Sequence, residues 1–169
     1  MIFKNVHGQS YGMMPAVIAN PNLPGNTVVT SKQIDGNKIL FFSGTMPTTA
    51  ECLDITAANI ESKGFTKLLE TQEFGITYTY NVDAKKRLIR KTLIDAMELN
   101  YLAAGTIGWA AIILNNPETP NSYLVFTDTI GTWGDTQAPI ILDNKVGTLN
   151  SRNLFKNVSI EIADKSNLV

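Results

Sequence analysis

The chain has 169 residues, a length that suits one domain and can bury a hydrophobic core without cross-links. A formal charge of -1, with charged residues only 17% of the total, argues against strong attraction to nucleic acid or to an anionic membrane surface. Cys52 is the sole cysteine and His7 the sole histidine, so an internal disulfide, a four-cysteine zinc site and a paired-histidine zinc site are excluded.

The first segment, residues 1–37, is punctuated by Pro15, Pro21, Pro24, Gly8, Gly12, Gly25 and Gly36 and keeps no sustained period of two or of 3.6. It reads as an extended N-terminal arm. Polar residues from His7 to Ser10 interrupt any secretory apolar run, so export by that route is not indicated. Tyr11, Met13, Met14, Val17 and Ile18 give the arm more apolar surface than an isolated strand can shelter. They are interface candidates, to be covered either by the chain's own body or by a neighbouring subunit.

From residue 38 to residue 169 the texture changes to short apolar or alternating runs separated by Gly, Pro, Asn and Asp, the pattern of an all-β sandwich, jelly-roll-like or Ig-like. Residues 38–43 form a compact strand. Residues 47–62 carry the signature of one short helix, with Thr45 as its cap, Pro47 in the first turn and Gly64 beyond its end; Asn59 and the threonines weaken it. Residues 74–82 place Ile76, Tyr78, Tyr80 and Val82 on one face of a half-buried strand. Residues 84–101 fit helix or strand, with at least one strand expected.

Residues 106–114 are apolar on both faces, which suits a central strand with Trp109 in the core. The surrounding run from Tyr101 to Leu114 is too short for a membrane helix and contains Gly105 and Gly108. Strands over 122–127 and 138–142 follow turn-like segments, and Val158, Ile160 and Ile162 alternate with Ser159, Glu161 and Ala163 in the last strand.

Residues suited to chemistry do not form a recognisable site. A nucleophile needs a base within hydrogen-bond reach, and His7 lies in the arm; Cys52 reads as a small buried apolar residue. Asp128, Asp135 and Asp143 lie near strand ends and can be weighed as a calcium site, but turns alone account for them. Glu51, Asp54, Glu61, Glu70 and Glu73 include no pair whose spacing a sequence can fix. Lys85, Lys86, Arg87, Arg90 and Lys91 lack interleaved aromatics and read as a charged, solvated edge. Among Trp109, Trp133, Tyr123, Tyr78 and Tyr80, the indole of Trp133, between Gly131 and Gly134, is the candidate for an exposed contact with a protein or a sugar. No catalytic, cofactor-binding or metal-binding residue is expected.

The order of segments carries a resemblance. A strand enters the turn Ser43, Gly44, Thr45, Met46, Pro47; Gly105, Thr106 and Trp109 open a second strand; a strand ending near Asp128, a glycine-rich turn and a last alternating strand follow. In this the chain resembles small bacteriophage and prophage virion structural proteins, over residues 38–163. The arm and residues 83–98 are not part of the shared pattern. The resemblance implies a β-sandwich-like body, a non-enzymatic role, synthesis in the host cytoplasm and residence in the virion. Partners would be copies of itself and other capsid or tail proteins, with no cofactor, no direct nucleic-acid contact and no membrane. A capsid-decorating or head-associated position is preferred to tail, neck or baseplate; a carbohydrate- or receptor-binding module is the alternative.

Overall fold

The computed structural model describes residues 4–5, 28–81, 86–88, 96–115, 122–135, 138 and 140–158. Among the described residues, twelve strands lie in two sheets: β1 (Lys4–Asn5), β2 (Val28–Ser43), β3 (Lys67–Glu70), β4 (Phe74–Asn81), β5 (Lys86–Leu88), β6 (Met97–Asn100), β7 (Gly105–Leu114), β8 (Tyr123–Thr127), β9 (Ile130–Thr132), β10 (Ile140–Leu142), β11 (Val146–Gly147) and β12 (Arg152–Val158). The larger sheet runs β1-β8-β7-β2-β4-β5, with β3 added to β2 and β11 to β7; the smaller runs β6-β12-β10-β9. The protein is an all-β sandwich. Among the described residues, no helix is long and apolar enough to cross a membrane.

The main core lies between the sheets. Ile39 and Phe41 of β2, Ala110, Ile112 and Leu114 of β7, and Val125 of β8 face Leu99, Ile140, Leu142 and Phe155 of the smaller sheet. Phe41 meets Phe155 edge-on across the gap, at 6.4 Å between ring centres. Alternation sends Leu40, Phe42, Ala111, Leu124 and Phe126 to the opposite face, where a second core forms. Met46, Cys52, Ile55, Ile60 and Phe65 cover it, so the connection between β2 and β3 acts as a third layer.

That connection is less helical than its sequence suggests. Its one helix, α1 (Thr49–Cys52), is capped by Thr48 rather than Thr45: the Thr48 hydroxyl accepts from the Glu51 amide, and the Glu51 carboxylate accepts from the Thr48 amide at 2.7 Å. Pro47 therefore precedes the cap. The helix does not continue because the Asn59 side chain accepts from the Thr56 amide (2.8 Å) and donates to the Asp54 carbonyl (3.0 Å), fixing a turn in place of a helical ladder. A single 3-10 turn at Ile60–Ser62 follows.

The junction expected between residues 37 and 38 falls inside β2. Residues 28–37 pair with β4 and residues 38–43 with β7, so the strand is continuous across it. Its first half hides its period because the register shifts twice, between Val29 and Lys32 and between Ile34 and Asn37, where Gly36 adopts φ +82°. The buried Asn37 amide secures this irregularity, donating to the Phe74 carbonyl (2.9 Å) and accepting from the Asn115 amide (3.0 Å). The described residues of the stretch 84–101 include two short strands, β5 and β6. The last strand begins earlier than its alternation indicates, at Arg152, and residues 159–163 lie outside the described residues.

The two motifs behind the resemblance meet in one joint. Phe42 lies opposite Trp109 and Ser43 opposite Ile107, which leaves Gly108 as the extra residue of a bulge. Phe42 and Trp109 stack at 4.3 Å, and the Trp109 indole N–H donates to the Ser43 carbonyl at 3.2 Å. A side chain on Gly108 would collide with the Gly44 carbonyl, and Gly44 itself turns at φ +77°. The bulge also switches the phase of β7: Ile107 faces the main core and Trp109, two residues on, faces the outer one.

Candidate interaction site

Trp133 sits just beyond β9, at the edge of the smaller sheet. β9 and β10 are adjacent and parallel, with Ile130 opposite Ile140, so residues 133–139 must bring the chain back along β9. Parallel neighbours usually need a crossover of roughly a dozen residues; this return is shorter because β9 itself has only 3. The Asp135 amide donates to the Thr132 carbonyl (2.9 Å), Gly134 turns at φ +99°, and the Asp135 carboxylate accepts from the Ala138 amide (3.2 Å). A side chain on Gly131 would lie 2.6 Å from the Ala138 methyl and 2.7 Å from the Asp135 carboxylate. The turn is therefore packed closely against its own strand.

Ile130 is buried at the base of this turn, while Trp133 is 68% exposed. The Lys156 ammonium lies over the indole ring, and its other neighbour is the Asp143 carboxylate at 3.6 Å. Lys156 reaches this position because β12 bulges there: Phe155 pairs with Leu142 and Asn157 with Ile141, leaving Lys156 unpaired between them. Lys145 donates to the Ile130 carbonyl at 3.0 Å and so covers part of the β9 edge. The result is an anchored turn that holds a large apolar ring in solvent with a cation on one face.

No family model, curated protein or solved structure matches the chain.

The other sequence candidates are dispersed. Trp109 is fully buried, while the side chains of Tyr78, Tyr80 and Tyr123 lie outside the described residues. Tyr11, Met13, Met14, Val17 and Ile18 also lie outside them, as do His7, Lys85, Arg90 and Lys91. Cys52 is buried, with its thiol 3.6 Å from the Pro47 carbonyl. Asp143 pairs with Lys156, Asp135 braces the Trp133 turn, and the Asp128 carbonyl accepts from the Ile130 amide. Among the described residues, no three His, Cys, Asp or Glu side chains are grouped to hold a metal.

The acidic residues of the outer connection serve the scaffold. Glu51 closes the helix cap, and Lys67 joins Glu61 (2.9 Å) to Glu70, which also binds Lys38. Burial alone would raise the Glu70 carboxyl, but hydrogen bonds from Lys38 and Lys67 outweigh it and hold the group below its ordinary 4.5. Burial opposes the Lys67 charge as well, and the bonds to Glu70 and Glu61 carry that amine above 10.5. Glu70 is thus held as a carboxylate, the reverse of what a proton donor requires. Lys38 and Glu70 line an open groove of about 480 Å³ with Thr71, Gln72, Glu73, Asn100 and Leu102; the Thr71 hydroxyl there accepts from the Ile39 amide at 2.9 Å.

Further exposed apolar side chains lie on β11 and around it. Leu102, Val146 and Leu149 are each at least half exposed, and the Asn150 amide donates to the Tyr101 carbonyl, joining the neighbourhoods of Leu149 and Leu102. Sequence reading did not single these out, because isolated leucines in turns carry no periodic signal. The Lys156 contact was equally hidden, since it depends on a bulge.

Proposed function

We propose that this chain is a structural protein of a bacteriophage particle that acts by assembly, without catalysis or a cofactor. A capsid-decorating or head-associated position is preferred to tail, neck or baseplate. The observation that carries the reading is the joint between Ser43, Gly44 and Gly108, Trp109, where the two motifs of the resemblance become one packing device. Such motifs specify a scaffold, and function then rests on what the scaffold presents.

What it presents is apolar. Trp133 stands exposed on a braced turn, and a pre-formed aromatic anchor is the kind of residue that dominates protein interfaces. Lys156 occupies a face of the indole on which a sugar ring would otherwise stack, which favours a protein contact over a glycan. The test is gold-labelled antibody against this chain on phage particles purified from the source culture. Label over heads supports decoration, and label at one vertex or along the tail moves the position while keeping the structural role. A specific antibody that labels neither intact nor opened particles contradicts the proposal and leaves glycan binding through Trp133 to be measured next.

A further inference from the structure

Residues 44–66, between β2 and β3, lie over the outer face of the larger sheet, with Met46, Cys52, Ile55 and Ile60 turned inward and most of the other side chains exposed. Among the described residues, the backbone hydrogen bonds made by residues 48–63 reach no further than four positions along the chain, as from Cys52 to Thr48 and from Ile60 to Thr56. Among these bonds, none ties the layer's backbone to the strands beneath it. Apolar burial holds the layer in place, and burial has no direction of its own. A thin segment with local, largely exposed hydrogen bonds belongs to the low-stability end of a structure.

Both ends of the layer are built to hinge. The Ser43 amide donates to the Thr66 carbonyl (3.1 Å), and Phe42 pairs with Lys67, so strands β2 and β3 hold the two ends side by side. Just inside those ends stand Gly44 at φ +77° and Gly64 at φ +80°. Apart from chain neighbours, no atom lies within 4 Å of where a side chain on either would begin. Glycine is therefore needed at both for its backbone conformation and not for close packing. Terminal positions of this kind absorb the backbone rotation when a segment moves. The main core lies on the other side of the larger sheet and contains no residue of the layer.

We propose that residues 44–66 form a lid that opens as one unit about Gly44 and Gly64 while the sandwich stays folded. Opening uncovers the stacked rings of Phe42 and Trp109 together with Leu124 and Phe126, and closure buries them again. The fold thus holds an aromatic sheet face in reserve under a layer that can leave it. Such opening is independent of the virion reading.

The wild-type chain carries its own probe. Cys52 is the sole cysteine and is buried on the inner side of the lid, so its reaction with the thiol reagent DTNB reports opening. The rate is measured in urea from zero to the unfolding midpoint, where its slope follows the surface that opening exposes. Below the transition the rate should exceed what global unfolding allows by about tenfold or more, with a slope well under the global one. Hydrogen exchange followed by NMR should show the amides of Cys52, Ile55 and Ile60 exchanging together, ahead of those of Ala110, Ala111 and Ile112 in β7. Gly64→Ala sets a side chain at positive φ in the closed lid and should speed labelling about five- to thirtyfold. Labelling that tracks global unfolding at every urea concentration would overturn the lid, as would lid amides that exchange no sooner than those of β7. An unchanged rate in Gly64→Ala would overturn the hinge and the proposal with it.

Discussion

Trp109 and Trp133 each follow a Gly-Thr pair and each adjoin a further glycine, yet one is wholly enclosed and the other is 68% exposed. At Trp109 the neighbouring Gly108 makes a bulge that lets β7 approach the Gly44 carbonyl, and the indole rotates into the outer core against Phe42, Phe65 and Phe126. At Trp133 the glycines tighten a turn, and the indole is left outside with Lys156. The same residue types therefore build a scaffold in one place and a contact surface in the other. The backbone conformation that glycine permits decides which.

The comparison can be broken most severely at Gly108. Gly108→Ala sets a methyl group against the Gly44 carbonyl, backbone against backbone, and should cost more than about 3 kcal/mol or prevent folding. Urea unfolding measures it. Trp109→Ala removes the ring that three aromatic side chains share, with an expected loss of about 3–5 kcal/mol in the same assay. Asn153 is a polar counterpart in the main core. Its amide accepts from the Asp143 and Asn144 amides and donates to Asn144 and to the Tyr101 hydroxyl, so Asn153→Ala should cost about 1–3 kcal/mol.

A smaller effect is expected at Glu70. Its carboxyl is held below 4.5 in the folded protein, so its contribution to stability is present above that value and is lost as the pH falls through the lowered one. Urea midpoints of the wild type should drop more steeply on acidification below 4.5 than those of Glu70→Gln. Equal slopes would mean that Lys38 and Lys67 do not favour the ionised form. Trp133→Ala sharpens the comparison from the other side. Stability should change by no more than about 0.5 kcal/mol, while incorporation into particles, measured by quantitative immunoblot, should fall several-fold.

Much of the sandwich was legible because short apolar runs bounded by turn residues mark its strands. Residues 106–114 and 122–127 are such runs, and β7 and β8 occupy them with small shifts at the ends. Legibility fails where geometry departs from period two. The double register shift around Gly36 conceals the first half of β2, so the arm read over residues 1–37 overlaps the central sheet from Val28 onward. The side chain of Asn59 turns a helix-like stretch into turns, an outcome that depends on its bonds to Asp54 and Thr56. For the candidate site, the exposure of Trp133 was readable from its glycines. The cation above it was not, because Lys156 arrives through a bulge in a strand 23 positions later.

The central claim, that the chain is a component of the phage particle, is tested most directly by its copy number there. Peptides of this chain and of the major shell protein are quantified by mass spectrometry across a density gradient of particles from the source culture. The account predicts a fixed ratio through the particle peak that persists after a high-salt wash. Absence from the peak, or a ratio that drifts across it and collapses on washing, would contradict it.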